Sequence, residues 1–218
     1  MGNTLVVPDL HFPFAHKKAL DFCKKVYKEY NCDSVVFVGD MFDHHQMSRH
    51  TSEPDALGAK QEANKAQKMV NKWVEAFPVA DIMLGNHDLI PKRQGKEVGL
   101  IDRFIRTVKE AYGLPDGWKF HNKLVRNKVL YLHIAGSGKY AAMNKAREQS
   151  MSVVAGHTHK HPGTLYFSNP RNLYYGMNVG CLINKKAYAM RYSDAEITLG
   201  VGVVYGPTHA TFVPMPLK

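Results

Sequence analysis

Side chains that could bind metal ions are grouped in five short motifs between residues 9 and 159. The motifs are Asp9-Leu10-His11, Gly39-Asp40-Met41-Phe42-Asp43, Gly85-Asn86-His87-Asp88, the single residue His133, and Gly156-His157-Thr158-His159. They offer carboxylate, imidazole and amide oxygen ligands, a mixed set that suits manganese, iron or zinc. Seven candidate ligands are too many for one ion, whereas two ions about 3.5 to 4 Å apart use all seven when they share a carboxylate. The seven are Asp9, His11, Asp40, Asn86, His133, His157 and His159.

The spacing within two of the motifs favours ligation of a single ion by each pair. Side chains two positions apart in an extended segment project to the same side, so Asp9 and His11 can reach one metal. The same spacing holds for His157 and His159. Either pair alone is weak support, because such pairs also arise by chance. His133 lies in the apolar run YLHIAG and also fits a buried structural histidine. Its interpretation as a metal ligand therefore depends on the order of all five motifs.

The elements that must position these motifs alternate between strands and helices in the first half of the chain. Apolar, β-branched runs predict strands at residues 4–7, 34–38 and 79–84, each followed by a motif. Apolar residues recur at helical spacing over residues 19–30, and residues 54–77 are rich in the helix formers Ala, Lys, Gln and Glu. Ligand sites of open α/β sheets lie at the carboxyl ends of strands, which is where these motifs fall.

Beyond residue 99 the predicted elements become shorter. An amphipathic helix is predicted over residues 100–112, followed by strands near residues 118–121 and 129–134. A helix at about residues 140–149 precedes a strand at residues 152–155, and the sequence from residue 165 onward predicts mostly strands. Because no linker or repeat divides the sequence, we expect one α/β domain over residues 1–218.

The five motifs, in this order, resemble the signature of the calcineurin-like metallophosphoesterases, which reads D-x-H, G-D-x-x-D, G-N-H-D/E, a later single His, and G-H-x-H. The resemblance implies a four-layer α-β-β-α sandwich, in which two sheets pack face to face between helices, with a dinuclear metal site at the strand ends. It also implies two divalent metal ions, with manganese favoured and iron, zinc or nickel as alternatives.

The resemblance further implies a role for each candidate residue. His87 resembles the family's general acid, and Asp43 resembles the partner that orients it. A hydroxide bridging the two metals would attack phosphorus while His87 donates a proton to the leaving oxygen. Asp88 fits a loop or capping role, and Asn178 fits a turn. The ligands of one metal would be Asp9, His11, Asp40 and His159, and those of the other Asp40, Asn86, His133 and His157, with Asp40 as the bridge.

Composition limits the classes of function. The 218 residues carry a formal net charge of +10, with 44% hydrophobic and 22% charged residues, values typical of a folded globular protein. The positive charge favours an anionic partner, which here means a phosphate ester such as a nucleotide or nucleic acid. No apolar run is long enough for a membrane span, and the amino terminus lacks the pattern of a secretory signal. With the odd, widely spaced Cys23, Cys32 and Cys181, these features predict a cytoplasmic protein with reduced thiols.

The residues around the motifs favour a phosphodiester substrate. Serine/threonine protein phosphatases of the family continue the second motif with Arg-Gly and have G-N-H-E, whereas this chain has His44-His45 and G-N-H-D. Nucleases and other diesterases of the family commonly show the forms found here. His44, Arg49 and Arg93 lie next to the motifs and are candidate contacts for the substrate phosphate, although a solvated basic rim explains them equally well.

Two other functions stay open. A phosphomonoesterase or protein phosphatase would use the same metal site on a dianionic substrate. A non-catalytic interaction module would keep the fold without hydrolysis, and it is the weaker alternative because no predicted ligand is missing from the sequence. Neither the natural substrate nor the oligomeric state follows from the motifs.

Overall fold

A computed structural model describes residues 2–49, 55–187 and 196–216, and these residues contain two β-sheets. The strands of the first sheet are β1 (Asn3–Val7), β2 (Cys32–Phe37), β3 (Ala80–Met83), β4 (Trp118–His121), β10 (Gly200–Gly206) and β11 (His209–Pro214). The strands of the second sheet are β5 (Lys123–Arg126), β6 (Val129–Leu132), β7 (Ser152–Ala155), β8 (Gly163–Ser168) and β9 (Leu173–Asn178). The strand orders are β11-β10-β1-β2-β3-β4 in the first sheet and β5-β6-β7-β9-β8 in the second.

Helices lie between successive strands from β1 to β4 and between β6 and β7. They are α1 (Ala19–Glu29), α2 (Ala59–Ala76), α3 (Ile90–Glu97), α4 (Val108–Ala111) and α5 (Ala141–Gln149), with 3₁₀ turns at His45–Met47 and Asp102–Phe104. None of the helices in the described ranges combines the length and the apolar character that crossing a membrane requires.

Three hydrophobic cores separate four layers. In β1, Leu5 and Val7 pack with α1 and α2, whereas Val6 between them packs into a second core that both sheets share. This alternation follows from the two-residue period of a strand. A third core joins Ala142 and Ala146 of α5 to the other face of the second sheet. The order of layers is therefore helix, sheet, sheet, helix, which confirms the predicted α-β-β-α sandwich.

Parallel pairing brings the motifs to one edge of the sandwich. Strands β1, β2, β3 and β4 are parallel neighbours in the first sheet, as are β6, β7 and β9 in the second. Asp9, Asp40 and Asn86 follow β1, β2 and β3, while His133 and His157 follow β6 and β7. Because parallel strands end on the same side, these five residues from distant parts of the chain can meet.

The predicted helix over residues 100–112 is the main local difference. In its place the chain has a 3₁₀ turn at Asp102–Phe104 and the four-residue helix α4. Thr107 interrupts the helix because its backbone is extended and its hydroxyl accepts a hydrogen bond from the Glu110 amide, while the Glu110 carboxylate accepts one from the Thr107 amide. This reciprocal capping starts a new helix at residue 108. Helix α2 begins at Ala59, and Pro54, where the prediction began, lies outside the described residues.

Candidate metal centre

Six of the seven candidate ligands form two compact clusters at the shared edge. Asp9, His11 and His159 bring one ligand atom each to within 4.8 Å of one another, and Asp40, His133 and His157 do the same. The seventh, Asn86, has its side-chain oxygen 3.0 Å from Nε2 of His133 and so borders the second cluster. The structure thus brings together all seven residues that the motifs predicted.

Asp40 belongs to the second cluster and also approaches the first. Its Oδ2 atom is 3.1 Å from Nε2 of His133 in the second cluster and 3.6 Å from Nε2 of His11 in the first. Its Oδ1 atom accepts a hydrogen bond of 2.8 Å from the backbone amide of His87. The carboxylate is 1% exposed, so its oxygens face these side chains and not bulk water.

Hydrogen bonds on the far side of two rings turn their other nitrogens toward the centre. Nδ1 of His133 is 2.8 Å from the carbonyl oxygen of Val38, and Nδ1 of His11 is 2.5 Å from Oδ1 of Asp43. Nε2 of His11 is buried and has no hydrogen-bond partner among the described residues. A buried polar atom without a partner is costly, and a metal ion would satisfy it. The donor set and this orphaned nitrogen fit a divalent cation.

Several of these residues have backbone angles that side-chain-bearing residues seldom adopt. The φ angles are +48° at His11, +46° at Asp40, +69° at His157 and +48° at His159. Each such conformation costs about 1 to 3 kcal/mol and persists where the surroundings enforce it, commonly at functional sites. Four such residues in the two clusters indicate that the backbone is shaped to aim these side chains.

Glycines allow the motifs to approach each other closely. A Cβ atom on Gly85 would overlap the carboxylate and backbone nitrogen of Asp40, and a Cβ on Gly156 would lie 2.5 Å from Oδ1 of Asp9. Both glycines are buried. The glycines of the third and fifth motifs therefore serve to pack one motif against another.

The carboxylates and histidines of the two clusters shift one another's pKa values. Burial alone raises the pKa of Asp40, but the hydrogen bond with His133 and the nearby His11 and His87 hold it well below its ordinary value. Burial opposes the charged form of His133, yet the hydrogen bond to Asp40 and the charge of Asp9 raise its pKa to about 9. Protons on the histidines thus balance the negative charge of the carboxylates. Bound metal cations would balance that charge in their place.

His87 lies at the mouth of the cluster, with its side chain 23% exposed. Nδ1 of its ring is 2.9 Å from the carbonyl oxygen of Asp43 and 3.3 Å from Oδ1 of the same residue. Burial lowers the pKa of the ring, but the hydrogen bond to Asp43 and the charge of Asp40 outweigh this effect and raise it to about 9. The ring is fixed through Nδ1, which leaves Nε2 as the nitrogen available to a substrate.

The three candidate substrate contacts differ in position. Arg49 and Arg93 line a cavity of about 340 Å³ together with Asn86 and His87. Arg49 pairs with Glu97, and Arg93 donates to the carbonyl of Asn86 at 3.3 Å. The third residue, His44, does not line this cavity.

His44 is buried, which differs from the expected contact with substrate. Its backbone has a φ of +53°, so the ring turns inward, where Nδ1 is 2.9 Å from the carbonyl of His87 and Nε2 is 3.3 Å from the hydroxyl of Tyr112. Tyr112 also stacks on Phe42 with ring centroids 3.8 Å apart. His44 therefore supports the segment that carries His87.

Glu62 and Asn178 contribute contacts that the motifs did not indicate. The buried carboxylate of Glu62 accepts hydrogen bonds from the backbone amides of His45 and Gln46, at 2.8 and 3.2 Å, and so anchors the segment after Asp43. Nothing marked Glu62 among the many charged residues of its helix. Asn178 ends β9 and is buried, where its side chain donates to the carbonyl of Lys139; it does not lie in a turn as predicted.

Comparison with known proteins gives the family. The model of the family described as calcineurin-like phosphoesterase matches residues 2–174. The Gene 54 protein of Mycobacterium phage D29 is 26% identical over 228 residues, covering 92% of this chain and 87% of that protein. A metallophosphoesterase from Sphaerobacter thermophilus is similar in structure, with 14% identity, a TM-score of 0.46 and coverage of 99% of this chain and 88% of that chain. Vacuolar protein sorting 29 from Cryptosporidium parvum has 14% identity, a TM-score of 0.46 and coverage of 94% and 86%. Because the family model spans most of the 218 residues, the chain belongs to the calcineurin-like phosphoesterase family.

Proposed function

We propose that this chain hydrolyses a phosphodiester with two divalent metal ions held at the candidate metal centre. The observation that carries the proposal is the position of Asp40, a buried carboxylate within 3.6 Å of a histidine nitrogen from each cluster. A carboxylate shared between two clusters is the arrangement that a pair of metal ions requires. Membership of a phosphoesterase family supports the same reaction class.

The two clusters define the proposed ligand sets. Bound divalent cations, with manganese favoured over iron, zinc or nickel, would neutralise phosphate oxygens and lower the pKa of an attacking water. Asn86 completes the second set through its side-chain oxygen. The first set is Asp9, His11, Asp40 and His159, and the second is Asp40, Asn86, His133 and His157.

We assign His87 the role of general acid. Its Nδ1 is fixed by Asp43 and its side chain is partly open to solvent, so Nε2 can face the leaving oxygen of a substrate. Proton donation by a positioned histidine typically contributes about 10²- to 10⁴-fold to a rate. Asp43 serves as the positioning residue that holds this ring.

The surroundings of His87 support a diester. The position directly after the second motif is occupied by the buried His44 and not by an arginine. Arg49 and Arg93 line the cavity beside His87, where they can meet the phosphates or the organic group that flanks a scissile phosphodiester. The net charge of +10 supports an anionic substrate such as a nucleotide or a nucleic acid.

The second candidate function is that of a phosphomonoesterase, and the position of Arg93 favours it. Its guanidinium donates to the carbonyl of Asn86 at 3.3 Å, close to the metal cluster, and is exposed. A guanidinium in this position can pair with the two charges of a terminal phosphate.

Paired substrates distinguish the two candidates. Hydrolysis of bis(p-nitrophenyl) phosphate and of p-nitrophenyl phosphate would be measured with manganese added to metal-stripped protein. The proposal predicts a higher kcat/KM for the diester, whereas preference for the monoester would replace it with the second candidate. Absence of hydrolysis with both substrates, in protein shown to hold metal, would contradict the assignment as a hydrolase of simple esters.

A further inference from the structure

A second cavity lies beside the metal centre and does not belong to it. Its volume is about 790 Å³, within the range of small-molecule sites. It is bounded by the segment after β3, by the segment from Asp102 to Tyr112, and by β4. Neither His87 nor any of the seven candidate ligands lines it, whereas their neighbours His44 and Asp88 do. The segment from Gly85 to Leu89 therefore separates the two sites.

The wall of this cavity is apolar and incompletely covered. Its fully buried part is formed by the rings of Tyr112 and Trp118. Apolar side chains that the fold leaves half-buried around an open space favour an apolar or aromatic ligand body. Five such residues line the cavity, namely Leu84, Leu89, Ile105, Val108 and Phe120.

Two cations of the cavity lack a direct ion pair, although one of them, Arg106, interacts electrostatically with the carboxylate of Glu110. Lys92 pairs with Asp102 at 3.0 Å, and Lys109 pairs with Asp116 at 2.6 Å. The exposed Arg106 and Lys119 form no ion pair within the residues that the structure describes.

The remaining carboxylate of the cavity faces inward. Asp88 is buried and accepts hydrogen bonds from the backbone amides of Phe42 and Gly85, both at 2.9 Å. It therefore holds the loop and forms no ion pair with Arg106 or Lys119, and these two cations favour an anionic group on the ligand.

We propose that this cavity binds an amphipathic organic anion, in which a flat or flexible apolar body lies among the half-buried side chains and one anionic group meets Arg106 and Lys119. Nucleoside monophosphates and medium-chain carboxylates share this chemistry. The inference goes beyond the proposed hydrolysis, because binding here needs neither metal nor turnover.

Calorimetric titration of the full chain with adenosine monophosphate and, separately, with decanoate tests the proposal. Each titration would be run with manganese present and again after chelation. We expect one of the two anions to bind at one per chain under both conditions, and the one that binds identifies the ligand class. Failure of both to bind at millimolar concentrations would overturn the proposal, as would binding that disappears on chelation, since it would place the anion at the metal centre.

Two double variants locate the binding. Arg106→Ala with Lys119→Ala should weaken binding about tenfold, because charge-assisted contacts are lost. Arg103→Ala with Lys123→Ala removes the same charge from exposed residues that do not line the cavity, and should change affinity less than about twofold. Equal affinities in the two variants would overturn the proposal. Thermal unfolding of both variants checks that they are folded, and a hydrolytically inactive protein leaves this test intact.

Discussion

Nδ1 of His11 lies 2.5 Å from Oδ1 of Asp43, so the first motif is hydrogen-bonded to the second. The bond fixes the imidazole ring and turns Nε2 toward Asp40, 3.6 Å away. The same oxygen of Asp43 is 3.3 Å from Nδ1 of His87. One carboxylate therefore orients both a proposed metal ligand and the proposed general acid.

Asp43→Asn should weaken metal binding and slow turnover together. Loss of the negative charge makes His11 a poorer ligand, and changes of this kind typically cost about 10- to 100-fold in metal affinity. Affinity would be measured by competition with a chelator, with Asp116→Asn as a control at an exposed carboxylate that pairs with Lys109. Unchanged metal affinity in Asp43→Asn would show that the bond to His11 does not tune the metal site.

His87→Ala should retain its metal and lose activity, and the loss should depend on the leaving group. The p-nitrophenolate leaving group departs readily without protonation, whereas the more basic phenolate of a phenyl ester needs a proton. The kcat for the phenyl ester should therefore decrease more, by about 10²- to 10⁴-fold. His209→Ala, at an exposed histidine of β11, is the matched control. An equal loss on both esters would argue against proton donation by His87.

Gly85→Ala should destabilise the fold. The added Cβ overlaps Asp40, including its backbone nitrogen, which cannot swing aside. Overpacking of this kind costs about 1 to 3 kcal/mol, measurable as a lower midpoint of denaturant unfolding in metal-free protein. Gly58→Ala is the control, since a Cβ there meets nothing within 4 Å. Equal midpoints for the two variants would contradict the close approach of the motifs.

Glu62 should make the stability of the metal-free chain depend on pH. Burial raises the pKa of its carboxyl from the ordinary value of 4.5 to about 7, so between these values the folded chain holds a proton that the unfolded chain releases. Stability from this group is therefore greatest below pH 4.5 and falls as pH rises toward 7.

Glu62→Gln removes that dependence. The Tm of the wild type should fall relative to that of the variant as pH rises from about 5 to 7, because only the wild type carries a carboxyl that is protonated in the folded chain and releases its proton on unfolding. Scanning calorimetry at several pH values in chelator measures it. A difference that is constant with pH would mean that Glu62 titrates normally in the folded chain.

The meeting of the motifs within a sheet was predictable for a simple physical reason, whereas the four layers were predicted only through the resemblance to the family. Buried strands appear in the sequence as short apolar runs, and parallel strands end at the same edge of a sheet. Because such strands precede Asp9, Asp40 and Asn86, these residues were expected to lie close together. The same rule brings His133 and His157 together in the second sheet, whereas the contact of His133 with Asp40 depends on how the two sheets pack.

Features that depend on backbone geometry were not predictable. His44 follows Asp43 directly and was expected to face the substrate, but its positive φ turns the ring into the interior. The break in the amphipathic run over residues 100–112 did have a signal in the sequence, because Thr107 and Glu110 have the spacing of a capping box, but the apolar periodicity alone predicted one continuous helix. Glu62 gave no signal because its partners are backbone amides.

The most direct test of the dinuclear account is a titration of metal-free protein with Mn²⁺ while hydrolysis of bis(p-nitrophenyl) phosphate is followed. With Asp40 close to both clusters, hydrolysis should be absent without metal and should reach its plateau at two equivalents of Mn²⁺ per chain. Hydrolysis by the metal-free protein, or a plateau at one equivalent, would contradict it.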